Sequence, residues 1–262
     1  MTNTTARRML NKVPEVTIYF WVIKIMCTTV GETAADYLNV DLGFGLSNTT
    51  YIAGALLAAI LAVQFGLRRY VPAVYWIVVV VISVFGTLIT DNMTDRYNVP
   101  LTTSTIGFAV ALAVVFAVWY AFERTLSVHT IYTSRREAFY WLAILFTYAL
   151  GTAAGDLSAE KFSLGYGPSI LIFGGMIAAV AVAHYAFRLN AVLSFWLAYI
   201  LTRPLGASIG DWTSQHSHKY GGLGLGTTDT SYIFLGCILL LVTFLSITRR
   251  DVTETQSQPE TA

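Results

Sequence analysis

The stretch FWVIKIMCTTVGETAAD, residues 20–36, holds an aromatic pair, Phe20-Trp21, then Gly31 ten residues beyond the tryptophan and Asp36 five beyond the glycine. The figure recurs three times: Tyr75-Trp76 with Gly86 and Asp91, Tyr140-Trp141 with Gly151 and Asp156, Phe195-Trp196 with Gly206 and Asp211. Four ungapped copies of aromatic-Trp-x9-Gly-x4-Asp mark an internal repeat, and a repeat decides the architecture before any single motif does. The Trp-to-Trp steps are 55, 65 and 55 residues, so the first two copies pair as one half and the last two as another.

Composition sets the environment. Of 262 residues, 55% are hydrophobic and 12% charged, against about 25% charged in a soluble domain. That excludes a disordered chain and argues against a soluble enzyme. Sixteen Lys and Arg against fifteen Asp and Glu leave no basic excess to hold nucleic acid. Cys27 and Cys237 both sit in apolar runs, which fits neither a disulfide framework nor a cysteine zinc site. A membrane-spanning helix needs about 20 apolar residues. Eight stretches qualify, roughly 14–38, 48–67, 71–90, 102–122, 136–155, 166–187, 190–210 and 230–248. The sequence predicts an all-α polytopic membrane protein of about eight helices, built from four parallel two-helix repeats at 13–70, 71–128, 135–189 and 190–248. A polar head (1–12) and a polar, disordered tail (249–262) flank a transmembrane domain at 13–248.

Arg7-Arg8 before an apolar run faintly resembles a twin-arginine export signal, but the following run contains Lys24 and is too long for a signal core. It reads as the basic flank of the first helix. Eleven basic residues (Arg7, Arg8, Lys12, Arg68, Arg69, Arg124, Arg135, Arg136, Arg188, Arg249 and Arg250) fall on one side and three (Arg96, Lys161, Lys219) on the other. The positive-inside rule then puts both termini in the cytoplasm.

Fifteen residues separate each Trp from its Asp, about 22 Å of helix. With the tryptophans in a cytoplasmic aromatic belt, Asp36, Asp91, Asp156 and Asp211 form one layer near the opposite face. An ionised carboxylate facing lipid costs on the order of 2–3 kcal/mol, so four at one level are expected to point inward. Each repeated Gly is followed four residues later by Ala35, Thr90, Gly155 or Gly210, a small-xxx-small pattern for close helix contact. Glu32 precedes Asp36 by one turn, and the pairs Asp91/Asp95 and Asp156/Glu160 share the same spacing, with Gln215 after Asp211. Carboxylates crowded this way need a proton, a Lys or Arg, or a metal ion between them. Asp41, Asp95 and Asp229 read as solvated loop ends. Lys24 and Arg203 are charges inside spans, assigned to coupling or charge pairing, with Glu32 or a neighbouring Asp as the partner of Arg203. Pro204 is expected to disturb the seventh helix. His184 reads as an interhelical hydrogen bonder, and His216 and His218 as a weak divalent-ion signal. There is no P-loop, G-x-S-x-G or H-E-x-x-H motif and no reason to assign an enzyme.

At the four Trp–Gly–Asp units, and at Gly31-Glu32-Thr-Ala-Ala-Asp36 in particular, the chain resembles a bacterial family of small integral membrane proteins, uncharacterised conserved membrane or membrane-anchored proteins. The resemblance spans about residues 13–248 and implies a bacterial inner-membrane location. It brings no activity with it. The residues themselves suggest a transporter or exporter of a small cation, with Asp36, Asp91, Asp156, Asp211 and Glu32 as the metal ligands. Oxygen ligands without cysteine favour Mn2+, Mg2+ or Ca2+, carried rather than held as a resident cofactor. The expected partners are the lipid bilayer and the cation, and a homo-oligomer is compatible with this reading. A proton-coupled carrier of a small organic solute, using Lys24 and Arg203, is the alternative, and a non-transporting scaffold or sensor is the third.

Overall fold

The computed structural model describes residues 11–161, 164–216 and 221–252. Within them the chain is helical: α1 (Ile18–Asp36), α2 (Leu46–Gly66), α3 (Pro72–Asp91), α4 (Leu101–Glu123), α5 (Ser134–Asp156), α6 (Tyr166–Phe187), α7 (Ala191–Ser214) and α8 (Thr227–Thr248). Seven are long and apolar enough to cross a membrane. The exception is α1, which carries Lys24, Glu32 and Asp36 and has most of its middle turns buried. The protein is an all-α polytopic membrane protein with internal repeats.

The odd and even helices play different parts. In α3, α5 and α7, 61% of the apolar window is buried, against 6–28% in the even helices. The odd helices form a closed ring, α1 against α3, α3 against α5, α5 against α7, and α7 back against α1. The even helices ride outside. Each packs mainly on the odd helix of the next repeat: α2 on α3, α4 on α5, α6 on α7, and α8 on α1. The last helix thus closes the circle on the first, and no repeat buries its inner face without its neighbours.

The repeated glycines hold the ring together. A Cβ on Gly31 would run into the Ser83 side chain, one on Gly86 into Tyr148, one on Gly151 into Arg203, and one on Gly206 into Thr28. Ser83, Tyr148, Arg203 and Thr28 occupy the same position of successive repeats, three residues before the next repeat's own glycine. Every glycine therefore seats one side chain from its neighbour, four times around the ring. Hydroxyls tie the same seams: Thr29 donates to the Gly206 carbonyl at 3.1 Å and Thr90 to the Ala149 carbonyl at 3.0 Å. Without a hydrophobic difference between helix and lipid, such close approach and interhelical bonding carry the association. Gly86→Ala, whose new methyl would lie 2.6 Å from Tyr148 Cβ, is expected to cost about 1–3 kcal/mol of overpacking. Gly107→Ala on α4, where the added methyl meets nothing within 4 Å, is expected to be neutral or slightly stabilising. Thermal unfolding of the two variants in detergent checks the contrast.

Residues four apart lie above one another on a helix face. Counting by fours from the aromatic partner of each Trp gives five layers with one residue from every odd helix. The first is Phe20, Tyr75, Tyr140 and Phe195; the second Lys24, Val79, Ile144 and Tyr199; the third Thr28, Ser83, Tyr148 and Arg203. The fourth is Glu32, Thr87, Thr152 and Ala207, and the fifth is the four aspartates. All sixteen residues of the first four layers are buried, and they meet across the centre of the ring. Tyr75 and Tyr140 join hydroxyls there, and the rings of Phe20 and Phe195 lie 6.0 Å apart.

The tryptophans, expected in a cytoplasmic aromatic belt, lie further inside, and of the four Trp21 is the half-buried one. Trp76, Trp141 and Trp196 are buried among these aromatics, because their neighbours one residue earlier point at the axis and the tryptophans fill the seams beside them. The flanks differ from expectation too. Asn11 and Lys12, assigned to a solvated head, are buried at the Trp end, where Lys12 pairs with Glu137 at 2.7 Å. Asp251, assigned to the tail, is buried and accepts from the Tyr70 hydroxyl at 2.6 Å. Burial lifts its carboxyl above the usual range, against the pull of that hydrogen bond. Residues 1–10 and 253–262, including Arg7 and Arg8, lie outside the described residues.

Candidate functional site

α1, α3 and α5 each end with their Asp, and the chain then widens into a single π-helical turn: Tyr37–Asp41, Asn92–Arg96 and Leu157–Lys161. Five-residue backbone bonds mark the first two, Leu42 N–H to Tyr37 O at 2.9 Å and Tyr97 N–H to Asn92 O at 3.0 Å. Single π turns recur at functional positions because they offset the helix face and free carbonyls. In the fourth copy α7 stays α-helical to Ser214. The turns had no signal in the repeat motif.

Above the fourth layer the ring opens into a cavity of about 490 Å³. Asp36, Asp91, Asp156, Asp211 and Glu32 all line it, with Asp95, Thr94, Asn39, Asn98 and Gln215. Asp95 therefore faces the same space, unlike Asp41, which accepts a hydrogen bond from Thr227. Glu32, Asp156 and Asp211 converge further: each offers a carboxylate oxygen within 4.8 Å of the others. Glu32 and Asp211 are buried and Asp156 is half-buried. Asp36 and Asp91 line the cavity outside that trio, and Asp91 lies within electrostatic reach of Glu32, Asp156, Asp36 and Asp95. Three ligand oxygens at this separation fit around one hard cation, since oxygens on opposite sides of Mg2+ or Ca2+ stand about 4–5 Å apart.

The two intramembrane cations lie below the cavity and do not line it. Arg203, fully buried, ion-pairs with Glu32, Nη2 to Oε2 at 3.1 Å. The same nitrogen bonds Thr87 and, at 2.6 Å, Thr152, while Nη1 donates to the Thr28 carbonyl at 3.0 Å. One layer further down, Lys24 donates to the Tyr199 carbonyl at 3.0 Å and to the Thr202 hydroxyl, and its Nζ stands 3.8 Å from the Tyr199 ring centroid. Among the described residues no carboxylate pairs with Lys24. The axis therefore runs from buried aromatics through two cations to a carboxylate cavity.

The other candidates fall elsewhere. α7 runs unbroken through Pro204, which packs beside Gly151. His184 bonds the Leu189 carbonyl at 2.8 Å, a local contact at the end of α6 rather than a bond between helices. His218, Lys219 and the side chains of Glu160 and Lys161 lie outside the described residues, so the H-x-H and the Asp156/Glu160 pair are not placed.

Fold and site define a ring of four helix-pair repeats around an axial charge stack in a membrane protein. A family model described as Repeat of Unknown Function (DUF347) matches residues 19–70, 74–125, 139–190 and 194–251. The chain belongs to that family. No curated protein and no solved structure matches it.

Proposed function

We propose that this protein transports or exports a small divalent cation, with the carboxylate cavity as its binding site. The observation that carries the reading is the convergence of Glu32, Asp156 and Asp211 on one polar cavity. Below the cavity Arg203 pairs with Glu32. The ligands are oxygens, which suits Mn2+, Mg2+ or Ca2+. A solute carrier using Lys24 and Arg203 is less well supported, because neither side chain reaches the cavity. A scaffold would have no need of inward-facing carboxylates at all. The test is uptake of divalent ions by purified protein in liposomes.

We place the protein in a bacterial inner membrane, with the Trp end and both termini facing the cytoplasm. The support is the family resemblance and the bias of Arg68, Arg69, Arg124, Arg135, Arg136, Arg188, Arg249 and Arg250 toward segments at the Trp end. Reporter fusions after residue 45 and after residue 128 are expected to report outside and inside respectively. The opposite pattern would turn the cavity toward the cytoplasm.

A further inference from the structure

We propose that Arg203 is a tethered counter-cation that shares Glu32 with the transported ion, so that binding at the cavity floor is an exchange rather than a simple addition. The inference rests on the cation reading above and adds its mechanism.

Glu32 has two claims on it. Its Oε2 accepts from Arg203 Nη2 at 3.1 Å, and its carboxylate belongs to the cluster with Asp156 and Asp211. The pairing with Arg203 is made where both groups are buried, so it is strong and little screened, while the cluster faces the cavity. An ion that takes Glu32 as ligand weakens its pairing with Arg203. A buried guanidinium losing its carboxylate partner would be costly, but other acceptors are already in contact. The Thr152 hydroxyl at 2.6 Å, the Thr87 hydroxyl and the Thr28 carbonyl all remain. The sequence also makes room for this arrangement. The repeat that supplies the arginine has Ala207 where the others have Glu32, Thr87 and Thr152, so nothing on α7 crowds the axis at that level. The aliphatic stem is fixed independently, seated on Gly151. The charged head is thus the one part of Arg203 with a choice of partners. When the ion leaves, the guanidinium recaptures Glu32, which lowers the affinity of the site and favours release.

The test is equilibrium binding of Mn2+ to the full-length protein in detergent. Arg203→Met keeps the stem on Gly151 and removes the competitor, so Mn2+ is expected to bind about tenfold tighter or more. Glu32→Gln is expected to weaken binding, and the double variant to bind no more tightly than Glu32→Gln alone. Thr152→Val, which removes an alternative acceptor without touching the ion, is expected to weaken binding several-fold. A tightening by Arg203→Met that persists in the Glu32→Gln background would show a remote charge effect and overturn the exchange. Unchanged or weaker binding in Arg203→Met would overturn it also, and so would unchanged binding in Thr152→Val, the variant that carries the test if Arg203→Met does not fold. In each of these cases wild-type Mn2+ binding stands and the transport reading survives. Mg2+ or Ca2+ is the probe where the wild type binds it instead of Mn2+, and absence of binding of all three by the wild type removes both.

Discussion

Asp156→Asn is expected to insert and fold but to lose most divalent-cation transport, at least tenfold, while Asp229→Asn at the start of α8 changes little. The substitution keeps the size and much of the hydrogen bonding of the side chain and removes one charge. Its effect is disproportionate because Asp156 is one of three converging carboxylates, and a hard cation discriminates steeply by ligand charge and number. Asp229 is outside the cavity lining. Glu32→Gln, in the same trio, is expected to be as damaging as Asp156→Asn. Protons compete with metal for these oxygens, so wild-type transport is expected to fall with pH. The measurement is initial uptake rate in liposomes at matched protein density.

Glu137→Ala is expected to be the most destabilising single change, at about 3–5 kcal/mol. Glu137 and Lys12 are each 1% exposed and pair at 2.7 Å, and Gln64 donates to the other carboxylate oxygen at 3.0 Å. Removing the carboxylate strands a buried ammonium against the Gln64 and Phe65 carbonyls. Replacing both partners, Lys12→Met with Glu137→Leu, removes the stranded charge and is expected to recover most of the loss, since an apolar pair of similar volume replaces a buried ion pair at little cost. Thermal unfolding in detergent reads both. A single variant as stable as wild type would mean that the segment carrying Lys12 is not docked on the bundle.

The helices and the four-fold repeat were legible because both are written in local pattern: apolar runs of membrane length, and a Trp–Gly–Asp figure at fixed spacing. The inward aspartates followed from the cost of a charge facing lipid, and the same argument gave Arg203 either Glu32 or a neighbouring Asp as partner, of which the structure has Glu32. Other features were not read. The tryptophans look like interface residues in isolation, and only the stripe of every fourth residue, Phe20, Lys24, Thr28, Glu32 and Asp36, reveals which face of the helix is axial. Lys12 looks like a flanking charge because its partner is 125 positions away. Glu32 was named among the ligands although it occurs in one copy. Its importance comes from geometry, since its longer side chain on the layer below reaches Asp156 and Asp211, which belong to two other helices. Symmetry in the sequence marks the frame, and the breaks in it (Lys24, Glu32, Arg203) mark the axis.

The central claim is that converging carboxylates move a divalent cation. The most direct measurement is Mn2+, Mg2+ and Ca2+ flux into liposomes carrying wild-type protein, Asp156→Asn or Asp211→Asn. The account predicts saturable flux of at least one ion in the wild type and its near loss in both variants. Flux no greater than in protein-free liposomes, or wild-type flux in both variants, would contradict it.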